Sequence, residues 1–179
     1  MSNVKYILRL SLTLLIITAV MAAALAAVNG FTAPMIAQLQ AEKTQEAIEL
    51  VLPGGGEKIE FTDSTGLVST VYASETGYAV EVTPVGFDNT ITMMVGVSKQ
   101  GEVLGISVIS HTETAGLGAV AAASNSAGEA FRGQFVGMSG TLAVTKDGGA
   151  VDSITGATIT SRAICTGINA ALACVGNLG

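Results

Sequence analysis

The stretch Asp152-Ser153-Ile154-Thr155-Gly156-Ala157-Thr158-Ile159-Thr160-Ser161 decides how the chain is read. Beyond it, Ile164, Ile168, Leu172 and Val175 recur on one stripe at helical spacing, which predicts a C-terminal helix with Thr160 or Ser161 as its N-cap. A helix that opens there sets unpaired backbone N–H groups and the positive end of its dipole beside Thr158, an arrangement that stabilises a phosphate. Gly156 has no Cβ to hold the backbone away from a bulky ligand, and Ala157 keeps the approach uncluttered.

Upstream of this segment the pattern is that of strands and tight turns. From Lys58 onward, short runs rich in Val, Ile, Thr and Tyr are broken by Gly and Asp. They predict strands near 58–62, 67–73, 78–84, 91–98 and 103–110. Lys99-Gln100-Gly101-Glu102 joins the last two as a hairpin, and their apolar content predicts that they form the sheet's centre. The run Glu129 to Phe135 reads as a short helix with Phe131 and Phe135 inward. Thr141 to Lys146 is expected to pair with Ala150 to Ile154 as a β-ribbon across Asp147-Gly148-Gly149, delivering Thr155 to Thr158 at a strand end.

The N-terminal third is different. No residue from Leu10 to Ala41 is charged, and the 19 residues from Leu10 to Val28 span ~28 Å as a helix, close to the hydrocarbon thickness of a bilayer. Lys5 and Arg9 precede this span, whereas six Lys/Arg stand against fourteen Asp/Glu beyond it. That asymmetry predicts a cytoplasmic N-terminus and an outer-face domain. A cleaved signal peptide ending in the Ala-rich run Ala22 to Val28 is the competing reading. Met35 to Leu52 reads as a helix that continues or kinks at Pro34 and stops at Pro53-Gly54-Gly55-Gly56. The whole is an α+β chain, with a single transmembrane helix (1–30), a stalk helix and linker (31–57), and a small domain (58–179) whose antiparallel sheet is flanked by helices.

Cys165 and Cys174 fall on opposite faces of the predicted C-terminal helix, ~13 Å apart along its axis, so they cannot bridge and read as small packing residues. Two cysteines and one histidine give no metal centre. A net charge of −6 and a pI of about 4.6 without a basic patch argue against nucleic-acid binding.

Two segments in order carry a family resemblance. Thr155-Gly156-Ala157-Thr158 is similar to the [Ser/Thr]-Gly-Ala-Thr motif of the FMN-binding domain found in the G subunit of the Rnf complex and the C subunit of the sodium-pumping NADH:quinone reductase. His111-Thr112-Glu113-Thr114-Ala115-Gly116-Leu117-Gly118 resembles that family's His-x-Glu-Thr-x-Gly-Leu-Gly loop. The resemblance implies FMN held covalently by a phosphoester to Thr158, which makes the chain a phosphoprotein. It further implies a flavin transferase that reads a pattern including Asp152, and a flavin lying against the loop His111 to Gly118. Thr155 stands where many members have Ser and Ala115 where members often have Pro.

The cofactor-binding candidates are therefore Thr158, Thr155, Gly156, Ala157, His111, Glu113, Thr114, Gly116, Leu117 and Gly118. Glu113 and Thr114 are expected to meet the ring's polar groups, Leu117 its face, and His111 its edge or nothing at all. Phe87 is a wall of the site or a core residue, and Arg162 a phosphate partner or a solvated side chain. No catalytic acid–base pair is found. The implied function is electron transfer in a bacterial inner-membrane Rnf complex, between ferredoxin and NAD through the other subunits, coupled to sodium or proton transport. The alternatives are a component like the C subunit of the quinone reductase, a stand-alone FMN protein serving extracellular electron transfer, and a cofactor-free anchored assembly domain.

Overall fold

The computed structural model describes residues 2–178. Contacts divide the chain into two compact units, Met1–Glu42 and Lys43–Gly179. From Ser2 onward the first unit is part of α1 (Ser2–Val51), which runs on through Pro34. Its apolar side chains, Leu10 to Val28 among them, are exposed, as are Ile36 and Leu39. The most apolar part of α1, with a mean hydropathy of 2.4, is wholly exposed, which is what a lipid-facing helix requires. The C-terminal helix α3 (Thr158–Gly176) is also long and apolar enough to span a membrane, but most of it is buried within its own unit.

The second unit is a five-stranded antiparallel meander in the order β1-β2-β3-β4-β5. The strands are β1 (Glu57–Ile59), β2 (Val68–Ala73), β3 (Gly77–Val82), β4 (Thr92–Ser98) and β5 (Val103–Ser110). Every predicted strand is present, and the β4–β5 hairpin is formed. Its expected place at the centre is not borne out, because β3 is central and β5 is an edge. The apolar content of these strands reflects burial on two faces instead. Val80, Val82, Met93, Val95 and Val97 face the main core with Ile164, Ile168 and Ala171 of α3. The alternate residues Ala79 and Met94 meet Ala47, Ile48, Val51 and Leu52, the last turn of α1 and the residue after it. A strand covered on both sides loses its polar alternation, which is why Met93 to Val97 reads as a continuous apolar run.

The short helix α2 (Ser126–Gly133) begins earlier than Glu129, at an Asn125 cap whose side chain accepts the Gly128 N–H. Phe131 and Phe135 are buried edge to face with centroids 5.4 Å apart. The expected β-ribbon is absent. Only Val144 and Val151 bridge, in parallel, and a 3-10 turn occupies Thr145–Asp147. The polar partner that a ribbon strand would supply to Leu142 comes from α3, where the Asn169 amide accepts the Leu142 N–H and donates to its carbonyl, both at 2.8 Å. Both cysteines are free and buried on α3, and burial pushes the Cys165 thiol up to about 11.

Because the far face of the sheet is closed by only four residues of α1 and its end, Ile48→Ala is expected to lower stability by about 2–5 kcal/mol. Urea unfolding of the full chain in detergent, followed by circular dichroism, measures it.

Candidate functional site

The site lies where α3 begins. Packing of its apolar stripe fixes the helix on the sheet, and its first turn then emerges beside the loop that follows β5. The cap differs from expectation. The helix starts at Thr158 itself, with Ala157 in the cap position and no side-chain cap. Neither Thr160 nor Ser161 is free to serve as one. Ser161 Oγ donates to the Ala157 carbonyl and accepts the Ile154 N–H, both at 3.0 Å. Thr160 Oγ1 donates to Glu113 Oε2 at 2.5 Å. The first intrahelical bond is Ser161 N–H to the Ala157 carbonyl, so the amides of Thr158, Ile159 and Thr160 form the uncapped end.

A cleft of about 280 Å³ opens at this end. It is lined by Glu113, Thr114, Leu117 and Gly118 of the loop, by Gly156 to Thr160, and by Phe87 and Lys146. Gly156 takes φ +77°, and a Cβ there would stand 2.9 Å from Leu117 Cδ2, so glycine lets the loop close over the motif. Phe87, Leu117 and Ile159 leave apolar surface exposed at the rim.

Glu113 is the centre of the bracing. Its carboxylate is buried, with Oε1 accepting the Phe87 N–H at 2.8 Å and the Asp88 N–H at 3.4 Å while Oε2 holds Thr160. Gly118 makes room for it, since a Cβ there would sit 2.5 Å from Oε2. The carboxylate thus ties together three segments and leaves little of itself for a ligand. His111 does not line the cleft; its Nδ1 accepts the Glu113 N–H at 3.2 Å and so shapes the loop. Gly116 and Thr155 line a neighbouring shallow hollow instead, together with Asp152 and Gln134. Gln134 fixes the Asp152 backbone there, accepting its N–H at 2.8 Å and donating to its carbonyl at 3.3 Å, and leaves the Asp152 carboxylate exposed.

Arg162 forms a two-pronged ion pair with Asp147, both contacts at 2.6 Å. It is therefore engaged with a carboxylate, and its hydrogen bond holds the Asp147 carboxyl below its usual range. The residue that sequence reasoning missed is Lys146, whose Nζ donates to Thr158 Oγ1 at 2.9 Å. No spacing signal marks it, since it lies twelve positions upstream in a segment read as a strand.

Uncapped amides beside a hydroxyl, next to apolar faces open at the rim, suit a ligand with a phosphate tail and a flat ring. These features define an anchored domain built to hold a phosphorylated aromatic cofactor. Residues 86–173 match the FMN-binding domain family. The chain is 34% identical to the G subunit of the ion-translocating oxidoreductase complex of Methanosarcina acetivorans, over 96% of each chain. It is 31% identical to the G subunit of the Na(+)-translocating ferredoxin:NAD(+) oxidoreductase complex of Acetobacterium woodii, over 97% of this chain and 94% of the relative. It is 32% identical to its counterpart in the proton-translocating ferredoxin:NAD(+) oxidoreductase complex of Clostridium ljungdahlii, over 83% and 80%. The chain therefore belongs to the family of G subunits of ion-translocating oxidoreductase complexes and carries its FMN-binding domain.

Removing the Glu113 carboxylate would strip an acceptor from two backbone amides and a buried hydroxyl. Glu113→Ala is expected to cost about 3 kcal/mol and Glu113→Gln, which keeps one oxygen, less than half of that. Urea titrations of the two variants measure it; an unchanged midpoint for Glu113→Ala would contradict the bracing role.

Proposed function

We propose that the chain is the electron-carrying flavoprotein subunit of a membrane-bound ferredoxin:NAD oxidoreductase that moves sodium or protons, with FMN joined through its phosphate to Thr158. The observation that carries the attachment is the position of Thr158, the first residue of an uncapped helix and part of the cleft wall. Its hydroxyl lies beside the amides that favour phosphate, so one ester bond there would anchor the cofactor where its charge is best accommodated. Bound FMN supplies reversible one- and two-electron chemistry.

The residues around the cleft divide the remaining work. The amides of Thr158, Ile159 and Thr160 take up the phosphate charge, Gly156 admits the chain of the cofactor, and Leu117 and Phe87 offer apolar faces to the ring. Glu113 holds these walls in place. The open rim leaves the ring's edge accessible to a redox partner, which electron transfer needs and hydrolytic chemistry does not. The exposure of Asp152 beside Thr155, with its backbone held by Gln134, supports a role for it in recognition by a flavin transferase.

The anchor (1–30), stalk and linker (31–57) and FMN-binding domain (58–179) divide membrane attachment from cofactor binding. Burial of α3 within its unit and exposure of α1 favour a single pass. The two basic residues before the span and the acidic excess after it favour a cytoplasmic N-terminus and an outer-face flavin. The other subunits of the complex are the redox partners; the names of the relatives carry either ion, which fits a subunit that carries electrons.

Co-production of the full chain with a flavin transferase, followed by a denaturing gel, tests the attachment. In-gel flavin fluorescence is expected from the wild type and from Thr158→Ser, and is expected to vanish in Thr158→Ala. Fluorescence that survives Thr158→Ala would place the bond elsewhere, and a dark wild-type band would favour the cofactor-free assembly role.

A further inference from the structure

Lys146 reaches Thr158, the first residue of α3, from outside both motif segments. It is an exposed lysine on a 3-10 turn, a setting in which a long side chain ordinarily ranges through solvent. Here the turn is fixed on both sides by α3. Asn169 clamps Leu142 ahead of it, and the Arg162–Asp147 pair clamps the residue immediately after it. Arg162 is one helical turn from Thr158, so the same helix positions both the hydroxyl and the lysine that meets it. Among the described residues, Lys146 has one hydrogen-bond partner, Thr158 Oγ1, and makes no ion pair: the neighbouring Asp147 carboxylate feels its charge but is paired with Arg162. An ammonium has three N–H donors, so two remain for the cleft that Lys146 lines.

We infer that Lys146 is the counter-cation of the flavin phosphate and positions Thr158 for its esterification, an inference that rests on the attachment proposed above. Before attachment, the donated N–H orients Oγ1 and leaves a lone pair for attack. In the transfer, the Oγ1–phosphorus bond forms and the phosphoanhydride bond of a flavin dinucleotide donor breaks. The nucleoside monophosphate leaves with the bonding electron pair, and the hydroxyl proton goes to a base on the transferase, since an ammonium donates protons in hydrogen bonds and does not accept them. Once esterified, Oγ1 is a weak acceptor, while the phosphodiester keeps one negative charge. Lys146, among the described residues the one basic side chain in the cleft lining, then turns its donors to that charge.

The test uses the full chain in detergent with purified transferase and flavin adenine dinucleotide, comparing wild type, Lys146→Met, Lys146→Arg and Thr158→Ala. Intact mass follows the rate of flavin incorporation, and thermal melts compare each protein before and after loading. Lys146→Met is expected to melt like the wild type when unloaded, to load about tenfold more slowly, the scale of one charge-assisted hydrogen bond, and to gain less in melting temperature on loading. Lys146→Arg is expected to recover part of both effects. A Lys146→Met protein that loads at the wild-type rate and gains the same stability would overturn the role of Lys146 while leaving the attachment intact. Loading of Thr158→Ala at the wild-type rate would instead overturn the attachment itself, and the inference with it.

Discussion

A helix end left without a side-chain cap has to be held folded by something else, and the site depends on how that is done. The first turn of α3 is secured by buried tertiary contacts. Thr160 reaches back to Glu113, and Ser161 bridges the Ile154 amide and the Ala157 carbonyl. Thr158 to Thr160 thereby stay in the cleft wall with their amides uncapped while the helix axis is fixed against the sheet. A serine or threonine at the cap position would take up one of those donors locally and leave fewer for an anion. The stability of the helix end and its availability to a phosphate are thus separated, with the first assigned to Glu113 and Ser161 and the second to the bare backbone.

That separation explains what was legible in the sequence and what was not. Strands β1 to β5 and helix α3 announce themselves by spacing, since burial follows the periods of two and 3.6. Strand order does not, because an apolar run reports that a strand is buried, and β4 owes its run to two covered faces while its hairpin partner β5 lies at an edge. The segment Thr141 to Lys146 has the composition of a strand, yet its polar partner is Asn169, 27 positions away on a helix, a pairing that no local pattern can reveal. Thr160 and Ser161 look like caps because their hydroxyls suit caps, but buried partners claim those hydroxyls first. The two motif segments do meet at one cleft, although only part of each lines it: Gly116 and Thr155 turn to the adjacent hollow and His111 to its own loop.

The remainder of the domain serves as a rigid mount. With both faces of the central strands covered, by α3 on one side and the last turn of α1 on the other, the sheet offers little freedom to the loops that wall the cleft. A one-point covalent tether suits such a mount. As proposed here, it would keep the cofactor from diffusing away without demanding that the ring be buried, and an accessible ring edge is what exchange of electrons with neighbouring subunits needs.

The most direct measurement is the tandem mass spectrum of the tryptic peptide Asp147–Arg162 from protein isolated from native membranes. It contains Ser153, Thr155, Thr158, Thr160 and Ser161, so fragment ions can distinguish every hydroxyl of the motif segment. The account predicts the mass of FMN added through a phosphoester, with the fragments placing it on Thr158. An unmodified peptide, or flavin on any of the other hydroxyls, would contradict it.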